Sequence, residues 1–92
     1  MTVKARKRLL IRGRVQGVGF RWFTRDTAAA MGVSGWVRNL HDGDVEAEAE
    51  ADPETLRRFI AELKTGLPFA RVDAMTETDI PARGEEKPFD IH

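Results

Sequence analysis

A two-layer α+β fold, ordered β-α-β-β-α-β with a short last strand, is predicted by three features of this 92-residue sequence. The run "VEAEAEA" (Val45–Ala51) alternates apolar and charged residues without a fault. That is the period of a strand with two different faces, and the "DGD" just before it suits a tight hairpin. On either side of this hairpin lies an apolar stripe at helical spacing.

Each element has its own signal. "RLLIRGRV" (Arg8–Val15) reads as strand 1, with Leu9, Ile11, Gly13 and Val15 on one face and Arg8, Leu10, Arg12 and Arg14 on the other. Helix 1 is expected over Arg21–Met31, with Phe20, Phe23, Thr27, Ala30 and Met31 on its apolar stripe and Gly32 ending it. "GWVRNL" (Gly35–Leu40) is strand 2, and Asp42–Asp44 is the turn into strand 3. The alanines of strand 3 are expected to face the core and its glutamates water. Asp52 caps helix 2 with Pro53 at its first position, Leu56, Phe59, Ile60 and Leu63 form its stripe, and Gly66 and Pro68 end it. "ARVDAMTETDI" (Ala70–Ile80) is strand 4, "PARGEEK" (Pro81–Lys87) a loop, and "PFDI" (Pro88–Ile91) a short last strand. This order is the split βαβ, ferredoxin-like arrangement, with two helices on one face of a mostly antiparallel sheet. It occupies residues 1–92 as a single domain.

Composition narrows the function. Apolar residues make up 41% and charged residues 33%, an ordinary balance for a globular chain. There is no cysteine, which excludes a disulfide framework and thiolate chemistry. No apolar run is long enough for a signal peptide or a membrane span, so the expected location is cytoplasmic. Formal net charge is zero but unevenly spread: Met1–Arg25 holds eight Lys or Arg and no acid, and Asp42–Glu54 holds seven Asp or Glu and no base. A basic first quarter argues for an anion site. A basic edge strand protected from aggregation by its charge explains Lys4–Arg8 equally well, but explains Arg21 poorly.

The topology brings the ends of strands 1 and 2 to one edge of the sheet, with strand 3 between them. There "GRVQGVGFR" (Gly13–Arg21) leads into helix 1, close to Asn39. Gly17 and Gly19 permit backbone conformations barred to other residues, so successive N–H groups can converge into an anion-binding nest. The N-terminus of helix 1 adds unsatisfied N–H groups and a favourable dipole, and Arg21 adds a forked, charged donor. A small dianion fits all three. The nucleotide loops do not fit: there is no GxxxxGK[ST], and GxGxxG from Gly17 would require glycine where Trp22 stands. His41, Asp42 and Asp44 belong to a hairpin turn and not to a metal site. Trp22 and Trp36 are expected to pack rather than to line a pocket mouth. His92 carries no signal.

These residues resemble the acylphosphatase family. "GRVQGVGFR" is similar to its first motif, GxVQGVxFR, and "GWVRNLHDGDVE" (Gly35–Glu46) to its second, GxVxNxxxGxVE, in the right order and spacing. The resemblance implies hydrolysis of the carboxyl-phosphate bond of acyl phosphates to carboxylate and inorganic phosphate, without cofactor or metal, by a monomer. It implies that Arg21 is the phosphate-binding catalytic arginine and that Asn39 orients the attacking water. The backbone N–H groups of Gln16, Gly17, Val18, Gly19, Phe20 and Arg21 would form the phosphate cradle.

Such chemistry asks little of side chains. A carboxylate leaves without a general acid, and phosphoryl transfer rests on positioning and on stabilising charge at the equatorial oxygens. No side chain at this edge is an obvious general base, so a phosphate oxygen of the substrate is expected to take the water's proton. Two alternatives stand beside this. Similar domains open the hydrogenase-maturation carbamoyltransferases, but a chain ending at 92 residues without zinc-finger cysteines is expected to be a free-standing enzyme. An RNA-binding sheet would carry aromatics on strand 3 where this one carries glutamates, so no nucleic-acid partner is expected. The acyl side of the pocket is left to loops such as Pro81–Lys87.

Overall fold

The computed structural model describes residues 3–92. Its elements are β1 (Ala5–Arg14), α1 (Phe20–Met31), β2 (Ser34–Asn39), β3 (Val45–Ala51), α2 (Pro53–Thr65), β4 (Arg71–Ile80) and β5 (Asp90–Ile91). They form one five-stranded sheet in the order β4-β1-β3-β2-β5. Strands β4, β1, β3 and β2 pair antiparallel, and β5 joins β2 in parallel.

The core lies between the sheet and the helices. Leu9, Ile11, Val37, Ala47 and Ala49 project from the sheet and are fully buried against Leu56, Phe59 and Leu63 of α2 and Phe20 and Ala28 of α1. The helix 2 stripe is the expected one, and Asp52 caps α2 by accepting from the Thr55 amide at 3.1 Å. Alanines on the core face of β3 keep the layer thin where the helices cross its centre, while larger residues fill the flanks.

Several expectations need correction. The first strand begins at Ala5 rather than Arg8, because Ala5–Lys7 find partners on β3 and, from Arg6, on β4. The first helix starts at Phe20, and its buried face is turned: Thr24 and Ala28 are buried while Ala30 is exposed. Thr24 tolerates burial because its hydroxyl donates to the Phe20 carbonyl at 2.9 Å. The last strand shrinks to Asp90–Ile91, since Phe89 turns into the core against Phe59.

The largest correction concerns strand 3. Its glutamates do not face water: Glu46 is 4% exposed and Glu50 is 0% exposed. They are covered by arginines of the neighbouring strands. Arg8 and Arg38 close on Glu46 at 2.6 and 2.7 Å, and Arg6 bridges Glu48 and Glu50 at 2.9 and 3.3 Å. The backbone N–H groups of Arg83 and Gly84 complete Glu50 at 2.7 and 2.8 Å. Lys4–Arg8 is therefore no edge segment, since β1 lies inside the sheet between β4 and β3. The same contacts place the Pro81–Lys87 loop beside Glu50, whose partners Arg6 and Ser34 open β1 and β2. That is the end of the sheet opposite Asn39, so this loop is not a wall of the candidate site.

Candidate active site

The chain leaves β1 at Arg14 and enters α1 at Phe20 through five residues. Gly17 and Gly19 both sit in the left-handed region, at φ 76° and 81°. A Cβ at either would meet nothing within 4 Å, so backbone conformation and not space calls for glycine there. Gly19 is the N-cap of α1 and offers no side chain to the first-turn N–H groups. Those donors, which a Ser or Asp cap would consume, stay available for an anion. Phe20, 1% exposed, anchors the helix start in the core.

Across the sheet edge stands Asn39, the last residue of β2, paired with Val45. The turn beyond it is tied by Leu40 N–H to the Asp44 carbonyl at 2.8 Å and by Asp44 N–H to Asp42 Oδ1 at 2.9 Å. Asp42 thus serves the turn, and Asp44 takes the Arg12 guanidinium at 3.3 Å.

The loop, the start of α1 and the last residue of β2 enclose a cavity of about 190 Å³ lined by Val15, Gly17, Gly19, Phe20, Arg21, Trp22 and Asn39. Arg21 and Asn39 are eighteen positions apart in the chain and meet here. No carboxylate lines the cavity. Of the eight basic residues up to Arg25, Lys4, Arg6, Lys7, Arg8, Arg12 and Arg25 are paired with carboxylates. Among the described residues only Arg14 and Arg21 of that set lack a carboxylate side chain within 4.0 Å. The Arg21 guanidinium therefore lines the cavity with no carboxylate side chain set against it. Among the described residues its side chain makes one hydrogen bond, from Nη1 to the His92 backbone oxygen, long at 3.5 Å.

Of the six cradle residues expected from the sequence, Gly17, Gly19, Phe20 and Arg21 line the cavity, while Gln16 and Val18 do not. Val18 leans on the core. The side chain of Gln16 is engaged elsewhere: its Nε2 donates to the Leu40 and Asp44 carbonyls at 2.7 and 2.8 Å, strapping the loop to the turn that follows Asn39. Nothing in the local sequence marks that contact, which spans 24 and 28 positions. Trp22 also departs from expectation. It is 56% exposed and stands in the cavity wall rather than packing inside. Trp36 does pack, stacked on the His92 ring at 5.2 Å with the Arg38 guanidinium 5.4 Å from its centroid. His92, silent in the sequence, thus touches both Trp36 and Arg21. Larger grooves of about 620 and 640 Å³ lie elsewhere, along α1 near Phe89 and between α2 and β1. Neither contains a glycine nest; the second is lined by Pro53 at the start of α2, but proline has no N–H to give and the Asp52 side chain already takes the Thr55 amide.

The sequence profile described as Acylphosphatase matches residues 7–91. An acylphosphatase of Treponema denticola is 49% identical over 76 residues, covering 83% of this chain and 81% of that one. One from Caldanaerobacter subterraneus subsp. tengcongensis is 43% identical over 84 residues, 91% of this chain and 93% of that one. The crystal structure of acylphosphatase from Bacillus subtilis superposes with a TM-score of 0.90 at 36% identity, covering 96% of this chain and 98% of that one.

Proposed function

This chain belongs to the acylphosphatase family, and from that premise we propose that the Arg21–Asn39 cavity hydrolyses acyl phosphates by in-line attack of water. The observation that carries the reading is the meeting of an arginine free of carboxylate side chains, two left-handed glycines and a helix N-terminus without a side-chain cap in one small cavity.

The phosphoryl group sits on the N–H groups of the Gln16–Arg21 backbone, and the Arg21 guanidinium grips two of its oxygens. These donors are fixed before the substrate arrives, so they stabilise the charge that develops on the equatorial oxygens without reorganising. Asn39 holds a water opposite the leaving oxygen. Its amide both donates and accepts, which suits orienting a water and not deprotonating it. The water oxygen forms the new P–O bond as the bond from phosphorus to the acyl oxygen breaks, and that electron pair leaves on the carboxylate. One proton of the water passes to a non-bridging phosphate oxygen, giving carboxylate and dihydrogen phosphate.

Asn39→Ala tests the division of roles. The expected outcome is a loss of kcat of about a hundredfold or more, with the inhibition constant for inorganic phosphate changed only a few-fold. Weakened phosphate inhibition with kcat preserved would move Asn39 from the water to the phosphate.

A further inference from the structure

The acyl half of the substrate has no assigned place in this site, and Trp22 supplies one. Trp22 lines the same cavity of about 190 Å³ as Arg21, Asn39 and the loop glycines, so a substrate whose phosphate is held in that cavity brings its acyl group within reach of the lining. Trp22 stands there, next in sequence to Arg21. It turns away from the core, which takes Phe20 and Thr24 from the same helix face. An indole 56% exposed at the rim of an anion cavity is a large apolar surface without an internal partner. The ring is also held in place. The Arg25 guanidinium, three residues along α1, covers one face at 4.2 Å from the centroid, and Asp26 fixes Arg25 at 3.1 and 3.3 Å. A ring already fixed on one face loses little freedom when a ligand covers its remaining surface.

We propose that Trp22 is the platform for the acyl group and that the substrates favoured by this enzyme are acyl phosphates with flat, apolar acyl groups. The inference rests on acyl phosphate hydrolysis at the Arg21–Asn39 cavity. Stacking acts on the group attached to the carbonyl and not on the phosphate, so it separates substrates that share the same reaction.

The experiment compares benzoyl phosphate with acetyl phosphate for the wild type, Trp22→Ala and Trp22→Phe. The ratio of kcat/KM for benzoyl over acetyl phosphate falls about tenfold in Trp22→Ala, and the fall lies in the KM for benzoyl phosphate. Trp22→Phe, which keeps a flat ring, holds the ratio within about threefold of wild type. An unchanged ratio in Trp22→Ala, whether both substrates slow together or neither does, overturns the platform alone. Absence of turnover of either substrate by folded wild type overturns the hydrolysis reading and the platform with it.

Discussion

Arg21 draws its importance from the fate of its neighbours in the chain. The basic first quarter of the sequence argued for an anion site, yet six of its eight cations are spent on carboxylates. What remains at the cavity is a single guanidinium beside fixed backbone donors. Gly17 and Gly19 were legible because a left-handed backbone asks for glycine, and the place of Arg21 followed from its position just after them at the start of α1. Gln16 and Trp22 were not legible in the same way. The side chain of Gln16 reaches carbonyls 24 and 28 positions away, and the exposure of Trp22 depends on which face α1 turns to the core. Gln16 is a positioning residue, and Gln16→Ala is expected to lower stability by about 1–2 kcal/mol. It should also lower kcat, because loop and turn lose their common register. Urea midpoints and kcat measured on one preparation check this; a kcat equal to wild type would show that the strap does not hold Asn39 against the loop.

Strand β3 shows how an element can be read correctly in period and wrongly in environment. The alternation gave the strand, its bounds and the alanine face. The glutamate face was assigned to solvent because a single sequence does not show which residues lie across the ladder. Once β1 and β2 flank β3, arginines at Arg6, Arg8 and Arg38 fall opposite or beside the glutamates. The open face therefore carries neutralised pairs rather than free acid. Burial pushes the Glu50 carboxyl up, but the Arg83 and Gly84 N–H groups and Arg6 more than offset this and hold it below the usual carboxylate range. Burial likewise opposes ionisation of Glu46, and Arg8 and Arg38 overcome it. Both groups release protons more readily folded than unfolded. Their stabilisation is thus fully present above the unfolded carboxylate pKa of about 4.3 and is lost as pH falls through the lower folded values. Glu50→Gln leaves Arg6 buried with less charge opposite it and should cost roughly 3 kcal/mol at neutral pH. Denaturant titrations at neutral and acid pH check both points: the gap between variant and wild type should narrow on acidification. A gap independent of pH would show that the Glu50 charge is not what holds the 81–84 segment.

At the scale of the molecule, chain order does the assembling. Strand order β4-β1-β3-β2-β5 sets the exits of β1 and β2 at one end of the sheet, flanking β3, so a loop motif and a strand-end asparagine become neighbours. This was legible because the element order was clean and the split βαβ connection has one common solution. The opposite end, where residues 81–84 fold onto Glu50 and Phe89 enters the core, was not, since that segment has no periodicity of its own. Arginine–glutamate pairs run along the whole open face, from Glu50 at one end to Glu46 beside the candidate site, and Arg21 stands outside them. The measurement that tests this most directly is hydrolysis of benzoyl phosphate, with EDTA present, by wild type and Arg21→Ala side by side. The account predicts turnover by the wild type and a loss of at least about 10²–10³-fold in the variant. Full activity in a folded Arg21→Ala variant would contradict it.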